Sequence, residues 1–286
     1  MSRISLAGAP VSWGVDFARD PANPPPGEVL DGIAAAGLEW MELGPPGYLP
    51  AAPGVLAERG LRSVGTFVFD DLHDPGARDT VARAVHDALA ALVSFGGRLL
   101  VLIDRPSPRR AATAGRSRDA VRLDGAAWRA MVRTVRGVAE AAGDVGVRVV
   151  VHHHAGGYVE FADEIERLLA DLPADEAGFC LDTGHALYAG MRPEHLARDY
   201  GERLEHLHVK DVRREGAGDF WRAVAAGVFC PVGEGLLDLD SLARALSDVA
   251  YAGFATIEQD RRPGTPGTPL EGLRRSVARV RASGIG

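Results

Sequence analysis

Polar side chains that could do chemistry gather at the ends of four short apolar runs of this sequence. Imidazole nitrogens and carboxylate oxygens from separate segments are the ligands that manganese, cobalt, magnesium or zinc would accept. A single polar residue at the end of such a run is as often a hydrogen-bonded cap as a metal ligand. The prediction of a metal site therefore rests on the four groups together. The groups are His152, His153 and His154; Asp182 and His185; His206, His208 and Lys210; and Glu258, Gln259 and Asp260.

Lys210 stands out because it is the single lysine among 32 Lys and Arg residues. Arginine supplies a fixed positive charge equally well, but it cannot lose its proton and its head group is larger than an ammonium. A lysine kept in such a composition is therefore a candidate catalytic residue. The structural alternative is a salt bridge to Asp211 or Asp182.

Eight apolar runs alternate with helical patterns along the chain, which predicts βαβ units and a parallel sheet. This number of units over residues 1–286 favours a single (β/α)₈ TIM barrel of the α/β class. A doubly wound sheet would also be expected to carry a GxGxxG motif after its first strand, and the sequence has none there. The predicted strands cover residues 4–8, 39–43, 63–69, 98–103, 147–152, 177–182, 204–210 and 254–259.

The active site of such a barrel lies at the carboxyl ends of its strands, where the four polar groups fall. Alternate residues of a strand share a face, so Leu207 and Val209 should pack outward against helices. The residues expected to face the barrel axis are His152, His154, His206, His208, Lys210 and Glu258.

Composition excludes several classes of function. The balance of 32 basic and 39 acidic residues gives a net charge of −7, which disfavours nucleic acid as a partner. No window resembles a membrane span or a signal peptide, so we expect neither a membrane protein nor a secreted one. Cys180 and Cys230 form no CxxC motif, which indicates neither a disulfide framework nor a thiolate zinc site and fits a reducing cytoplasm.

Three motifs resemble the xylose isomerase-like TIM-barrel superfamily of sugar isomerases, epimerases and dehydratases: LDTGH (181–185), HLHVKD (206–211) and IEQD (257–260). Further segments are similar to its inosose dehydratase branch, whose members dehydrate 2-keto-myo-inositol in inositol catabolism. Those segments are APVSWG (9–14), ELGPPGYLP (42–50), VHHHAGGYVE (151–160), DTGHALYAG (182–190) and FWRAVAAGVFCPVGEGLLDLD (220–240).

The resemblance implies a divalent cation, typically manganese or cobalt, held by one residue from each of strands five to eight. The matching motifs assign Asp182, His208 and Glu258 to three of these positions. Most of the superfamily has a glutamate where this chain has His152, and the dehydratase branch usually reads His-Pro-His there. The fourth ligand is therefore open among His152, His154 and Glu160, with His152 favoured by strand parity.

The implied reaction begins with proton removal next to a carbonyl, and in a dehydratase a second group then protonates the departing hydroxyl. Lys210, His154, Glu160 and His185 are the candidate acid and base residues, with Lys210 either a base or a fixed charge on the enediolate. The alternatives are a sugar isomerase or epimerase, a keto-glycoside eliminase, and a non-catalytic barrel that binds sugar or a DNA lesion.

The expected substrate is a small polyol or keto-sugar. Homo-oligomers are common in the superfamily that this chain resembles. Trp13 could form an apolar wall against a polyol ring, or be an ordinary core residue. Glu42 could bind a sugar hydroxyl, or be buried and paired with arginine, and His206 is the third candidate substrate contact. The insert with Phe220, Trp221 and Phe229 could cover the site, or simply pack.

Overall fold

Eight parallel strands form a closed barrel in the computed structural model, which describes residues 4–52, 54–262 and 264–286. Each strand pairs with its neighbours in chain order, and the first strand pairs with both the second and the eighth. The predicted (β/α)₈ barrel is thus confirmed. The strands are β1 (Ser5–Gly8), β2 (Trp40–Glu42), β3 (Arg62–Asp70), β4 (Leu99–Asp104), β5 (Arg148–His152), β6 (Gly178–Asp182), β7 (Leu204–Val209) and β8 (Phe254–Ile257).

Helices follow the strands, and several of them begin at residues whose side chains cap the first turn. The Asp124 carboxylate accepts the N–H groups of Ala126 and Ala127 at the start of one long helix, and Thr268 with Glu271 forms a capping box at another. The helices are α1 (Pro26–Ala35), α2 (Gly54–Ala57), α3 (Arg78–Phe95), α4 (Pro108–Ala111), α5 (Gly125–Gly143), α6 (Ala162–Asp171), α7 (Thr183–Tyr188), α8 (Pro193–Asp199), α9 (Phe220–Ala225), α10 (Leu239–Asp248) and α11 (Pro269–Ala282).

Two apolar layers hold the barrel together, as strand alternation predicts. The large layer joins the outer faces of the strands to the helices and includes Leu207 and Val209. The small layer fills the barrel interior below the polar strand ends and is formed by Val101, Ile103, Val150 and Cys180, with Phe67, Phe69 and Leu99 packed on it. The interior is therefore a packed floor on which the polar groups rest.

The insert between β7 and α10 folds back over the carboxyl end of the barrel. Two short antiparallel strands, Asp211–Val212 and Phe229–Cys230, form its base, and α9 is its upper part. The Asp211 carboxylate accepts the backbone N–H groups of Val212, Gly233, Gly235 and Leu237, which secures the chain that returns from the insert. Asp211 therefore stabilises this loop and is not the salt-bridge partner of Lys210.

Within the described ranges, no helix has the length and apolar character needed to cross a membrane. Cys180 and Cys230 are both free thiols, and both are buried.

Candidate functional site

Two carboxylates and an imidazole converge where β6, β7 and β8 end. Nδ1 of His208 lies 3.6 Å from Oδ2 of Asp182 and 3.5 Å from Oε2 of Glu258. All three side chains are buried, and one ligand atom of each lies within 4.8 Å of the others. Two carboxylates gathered out of water either hold a proton or need positive charge beside them, and burial raises the pKa of Glu258 to about 7.

The Lys210 ammonium supplies part of that charge. Its Nζ lies 2.8 Å from Oδ1 of Asp260, 3.2 Å from Oε2 of Glu258 and 3.3 Å from Oδ2 of Asp182. Burial opposes charge on this lysine, but the three carboxylates outweigh it and raise the pKa of Lys210 well above its usual value. This environment favours the fixed-charge role over that of a free base.

The LDTGH motif shapes the chain around Lys210. The Thr183 hydroxyl accepts the backbone N–H of Lys210 at 2.8 Å and donates to its carbonyl at 2.6 Å. Gly184 lets the first turn of α7 approach, because a Cβ there would lie 2.5 Å from Cβ of Lys210. The Asp182 carboxylate also accepts the N–H of His185 and so caps α7. The motif therefore orients both Asp182 and Lys210.

The three consecutive histidines have three different environments. Nε2 of His152 lies 3.2 Å from Oδ2 of Asp182, so His152 borders the carboxylate cluster. His153 points the other way and accepts the backbone N–H of Asp182, which braces β5 against β6. The Nδ1–H of His154 donates to the carbonyl of Ala155, which leaves Nε2 as the nitrogen with the lone pair.

Burial lowers the pKa of His152 to about 4 and holds the pKa of His154 well below its usual value, so both rings are neutral at pH 7. His185 stacks on His154 with ring centroids 3.9 Å apart and accepts the N–H of Ala155 at Nδ1. Its Nε2 faces Asp260 and Lys210 at 3.5 and 3.4 Å. His185 thus lies behind His154 and supports it.

A cavity opens directly onto these groups. Its walls combine apolar side chains with charged ones, which is the usual make-up of a small-molecule site. The insert contributes Phe220, Trp221 and Val224 from α9 to the lining, whereas Phe229 is buried and does not line the cavity. The lining residues are Val11, Asp16, Phe67, Phe69, Ile103, His152, His154, His208, Lys210, Phe220, Trp221, Val224, Glu258 and Asp260.

Asp16 is a functional candidate that the sequence reasoning left out, and Asp260 was named there among the polar strand ends but was given no role. Asp260 could have been found by strand parity, because it is two residues beyond Glu258 on the same face. Asp16 lies in a loop after β1, where no periodicity indicates direction. Arg262 holds Asp16 at 3.1 Å and places its guanidinium 4.8 Å from the Trp221 ring centroid. Arg262 thereby joins the loops after β1 and β8 to the insert.

Glu42 and His206 do not line the cavity, so they are not placed to contact a substrate. Both are buried below the cluster, and Oε1 of Glu42 lies 2.8 Å from Nε2 of His206 and 2.9 Å from Nε2 of His208. Glu42 is therefore paired with histidines, not with a sugar hydroxyl or with arginine. Barrel closure causes this, since it brings β2 and β7 to the same axis.

Glu160 and Trp13 also lie apart from the cluster. Oε2 of Glu160 lies 3.1 Å from Nη2 of the buried Arg110, and Oε1 accepts the N–H of Gly115. Burial raises the pKa of Glu160 to about 7, although the contacts with Arg110 and Gly115 lower it. The Trp13 ring packs on α1, where a Cβ at Gly32 would collide with it. Neither residue lines the cavity, so the structure favours the core alternative for Trp13.

The cluster fits a divalent cation. Among the described residues, Nδ1 of His208 is buried without a hydrogen-bond partner, although it points at two carboxylates. A cation bound between the two carboxylates would be a binding partner for this atom. Two carboxylates and an imidazole, with His152 beside them, suit manganese, cobalt or zinc. His154 and Glu160 belong to no described group of closely spaced ligand atoms.

The closed barrel and the histidine and carboxylate cluster at its carboxyl end define a TIM barrel with its functional site in the position usual for enzymes of this fold. A family model described as "Xylose isomerase-like TIM barrel" matches residues 30–282, and the chain belongs to this family.

Named relatives include dehydratases. The chain is 29% identical to the rhizopine catabolism protein MocC of Rhizobium meliloti, over 91% of this chain and 82% of that protein. It is 34% identical to the inosose dehydratase of Geobacillus kaustophilus, but over only 50% of this chain and 48% of that protein. The inosose dehydratase of Erwinia tasmaniensis is 25% identical over 92% of both chains.

Solved structures agree on the fold. The D-allulose 3-epimerase of Methylomonas sp. has a TM-score of 0.74 with 17% identity and covers 99% of both chains. The IOLI protein, solved with a zinc atom bound, has a TM-score of 0.73 with 14% identity and covers 98% of both. Identities this low support the shared barrel alone.

Proposed function

We propose that this protein is a metal-dependent hydro-lyase that dehydrates a keto-cyclitol such as 2-keto-myo-inositol to a trihydroxycyclohexanedione. One observation carries the proposal: a single cavity is lined by the candidate cation cluster, by the Lys210 ammonium and by two separate acid or base groups, His154 and Asp16. The relatives named inosose dehydratase support the choice of substrate class. Manganese or cobalt is the proposed metal, with His152, Asp182, His208 and Glu258 as its ligands.

The residues at the cavity can divide the reaction between them. Nε2 of His154 carries the lone pair that takes the proton from the carbon next to the carbonyl. A divalent cation held by His152, Asp182, His208 and Glu258 would stabilise the negative charge that develops on the substrate when this proton leaves. The Lys210 ammonium adds a fixed charge and hydrogen-bond donors at the same place. These roles use the environments that each side chain has in the fold.

Elimination also needs a proton for the departing hydroxyl. Asp16 lines the cavity, and burial raises its pKa to about 7 against the opposing charge of Arg262. A carboxyl group with this pKa is partly protonated at neutral pH and can protonate the hydroxyl as the carbon–oxygen bond breaks. Water leaves, and the electrons of the former carbon–hydrogen bond form the new double bond.

The test is a mass-resolved product assay with 2-keto-myo-inositol. Protein stripped of metal and reloaded with manganese or cobalt should remove one water, Asp182→Ala should abolish this, and Lys210→Ala should slow it severely. Arg222→Ala is the matched control, because Arg222 is exposed on α9 and does not line the cavity.

Two results would contradict the dehydratase proposal. Deuterium uptake from solvent without loss of water would show proton removal without elimination, as in an isomerase or epimerase. No reaction and no exchange with any metal would exclude keto-inositol as the substrate and direct the search to ketoses and keto-glycosides.

A further inference from the structure

A single buried carboxylate oxygen lies against two histidines beneath the candidate cation cluster. Oε1 of Glu42 lies 2.8 Å from Nε2 of His206 and 2.9 Å from Nε2 of His208. Glu42 and His206 are 1% and 0% exposed, so water does not compete for these contacts. Only a nitrogen that carries a hydrogen can donate to a carboxylate, and each ring therefore presents Nε2–H to Glu42.

This arrangement decides which nitrogen of His208 can bind a cation. An imidazole whose Nε2–H donates to a carboxylate can offer a lone pair only at Nδ1. That Nδ1 is the atom that faces Asp182 and Glu258 at 3.6 and 3.5 Å, and it has no hydrogen-bond partner among the described residues. His206 contacts the same Glu42 carboxylate but lies two residues earlier on β7. Its Nε2 is also 3.3 Å from the Thr256 hydroxyl.

The sheet is built so that Glu42 reaches this position. The register between β2 and β3 shifts between Met41 and Glu42, so the last residue of β2 departs from regular pairing. Irregularities of this kind re-aim a side chain next to a functional site. Immediately beyond, the Thr66 hydroxyl donates to the carbonyl of Gly44, which fixes the chain after the shift.

We infer that Glu42 is a positioning residue: by accepting Nε2–H of His208 it holds the ring so that Nδ1 is the nitrogen that faces Asp182 and Glu258, and it thereby sets the affinity of the site for a divalent cation. The inference rests on the cation site of the proposed function. Carboxylates that hold a metal-binding histidine in this way typically account for about 10- to 100-fold in metal affinity.

The test measures cation affinity without substrate. Zinc affinity, determined by competition with a chromophoric chelator, is compared in the wild type, Glu42→Leu and Glu42→Gln. We expect Glu42→Leu to bind zinc about 10- to 100-fold more weakly. Glu42→Gln should lie in between, because its amide oxygen still accepts a hydrogen bond. The matched control is His206→Gln, which removes the other partner of Glu42 and should leave zinc affinity nearly unchanged.

Nitrogen-15 NMR of the histidines in the zinc-loaded wild type gives a second readout, which is independent of how the variants fold. His208 should keep its hydrogen on Nε2 and bind zinc through Nδ1, and the reverse arrangement, with the hydrogen on Nδ1 and zinc on Nε2, would overturn the inference. Equal zinc affinity in Glu42→Leu would overturn it too, as would an equal loss in His206→Gln, since the buried polar layer would then act only as structure. A wild type that binds zinc but does not dehydrate 2-keto-myo-inositol would refute the proposed function alone.

Discussion

Asp16 and Asp260 are both aspartates on the cavity wall, yet their surroundings give them different chemistry. Asp260 lies 2.8 Å from the Lys210 ammonium, and this contact ties it to the carboxylate cluster. Asp16 also lines the cavity but lies 3.1 Å from the Arg262 guanidinium, and burial raises its pKa to about 7. Of the two, Asp16 is the residue placed to exchange a proton with a substrate at neutral pH.

The first prediction concerns Asp16→Asn. Because the acid form is required to protonate the departing hydroxyl, the wild-type kcat should fall as the pH rises through about 7. In Asp16→Asn, kcat should drop by about 10²- to 10⁴-fold and this alkaline decline should disappear. Steady-state kinetics from pH 5 to 9, buffered at constant ionic strength, measure both. Retention of the wild-type rate and of its alkaline decline would exclude Asp16 as the acid.

At the scale of elements, buried charge joins the loop after β4 to the segment after β5. The guanidinium of Arg110, which is fully buried, contacts Glu160 at 3.1 Å and Glu164 at 2.8 Å. Arg122 reaches the same Glu164 from a partly exposed position. Removal of the buried partner leaves carboxylates in a low-dielectric environment without compensation, whereas loss of the outer one does not.

We therefore predict different stabilities for two arginine variants. Arg110→Ala should lower the free energy of unfolding by about 3–5 kcal/mol, because Glu160 and Glu164 lose their buried partner. Arg122→Ala should lower it by about 1 kcal/mol or less, because that pair is screened by solvent. Urea unfolding followed by circular dichroism compares the two. Equal losses would show that the buried arrangement contributes no more than a surface pair.

The insert is the element that covers the cavity. Trp221 of α9 lines the cavity and its ring rests beside the Arg262 guanidinium, whereas its neighbour Arg222 is exposed. Trp221→Ala should raise KM several-fold and leave the urea unfolding midpoint almost unchanged, since the indole is only partly buried. Arg222→Ala should change neither quantity. A large loss of stability in Trp221→Ala, with KM unaltered, would mean that the indole serves packing alone.

For the whole molecule, the site draws on strands from different parts of the barrel, so a cation bound there should stabilise the fold as a unit. Asp182, His208 and Glu258 come from three neighbouring strands and converge at the barrel mouth. A ligand that binds the folded state alone raises its stability by about 2.7 kcal/mol at 100 times its dissociation constant.

The thermal unfolding temperature should therefore rise with manganese or cobalt concentration and return to its starting value with a chelator. Differential scanning calorimetry measures the shift. Asp182→Asn removes one ligand charge and should abolish most of the rise, whereas Asp171→Asn, a change on α6 away from the cluster, should keep it. An undiminished rise in Asp182→Asn would place the stabilising cation elsewhere on the protein.

The barrel and the inward-facing strand ends could be predicted from the amino-acid sequence. Both follow from local rules: alternation gives each residue its face, and parallel strands bring their carboxyl ends together. His208, Asp182 and Glu258 could be placed in one site because each belongs to a strand whose direction was already predicted. The resemblance carried by the LDTGH and HLHVKD motifs agreed with this placement.

Tertiary structure alone decided what each polar side chain contacts. Glu42 meets His208 across 166 residues and Arg110 meets Glu160 across 50, and no periodicity encodes either pairing. Loops such as the one that carries Asp16 have no alternation from which a direction could be derived. The reason is physical: these contacts arise only when the barrel closes and the loops fold over its mouth, so they depend on distance in space and not on spacing along the chain.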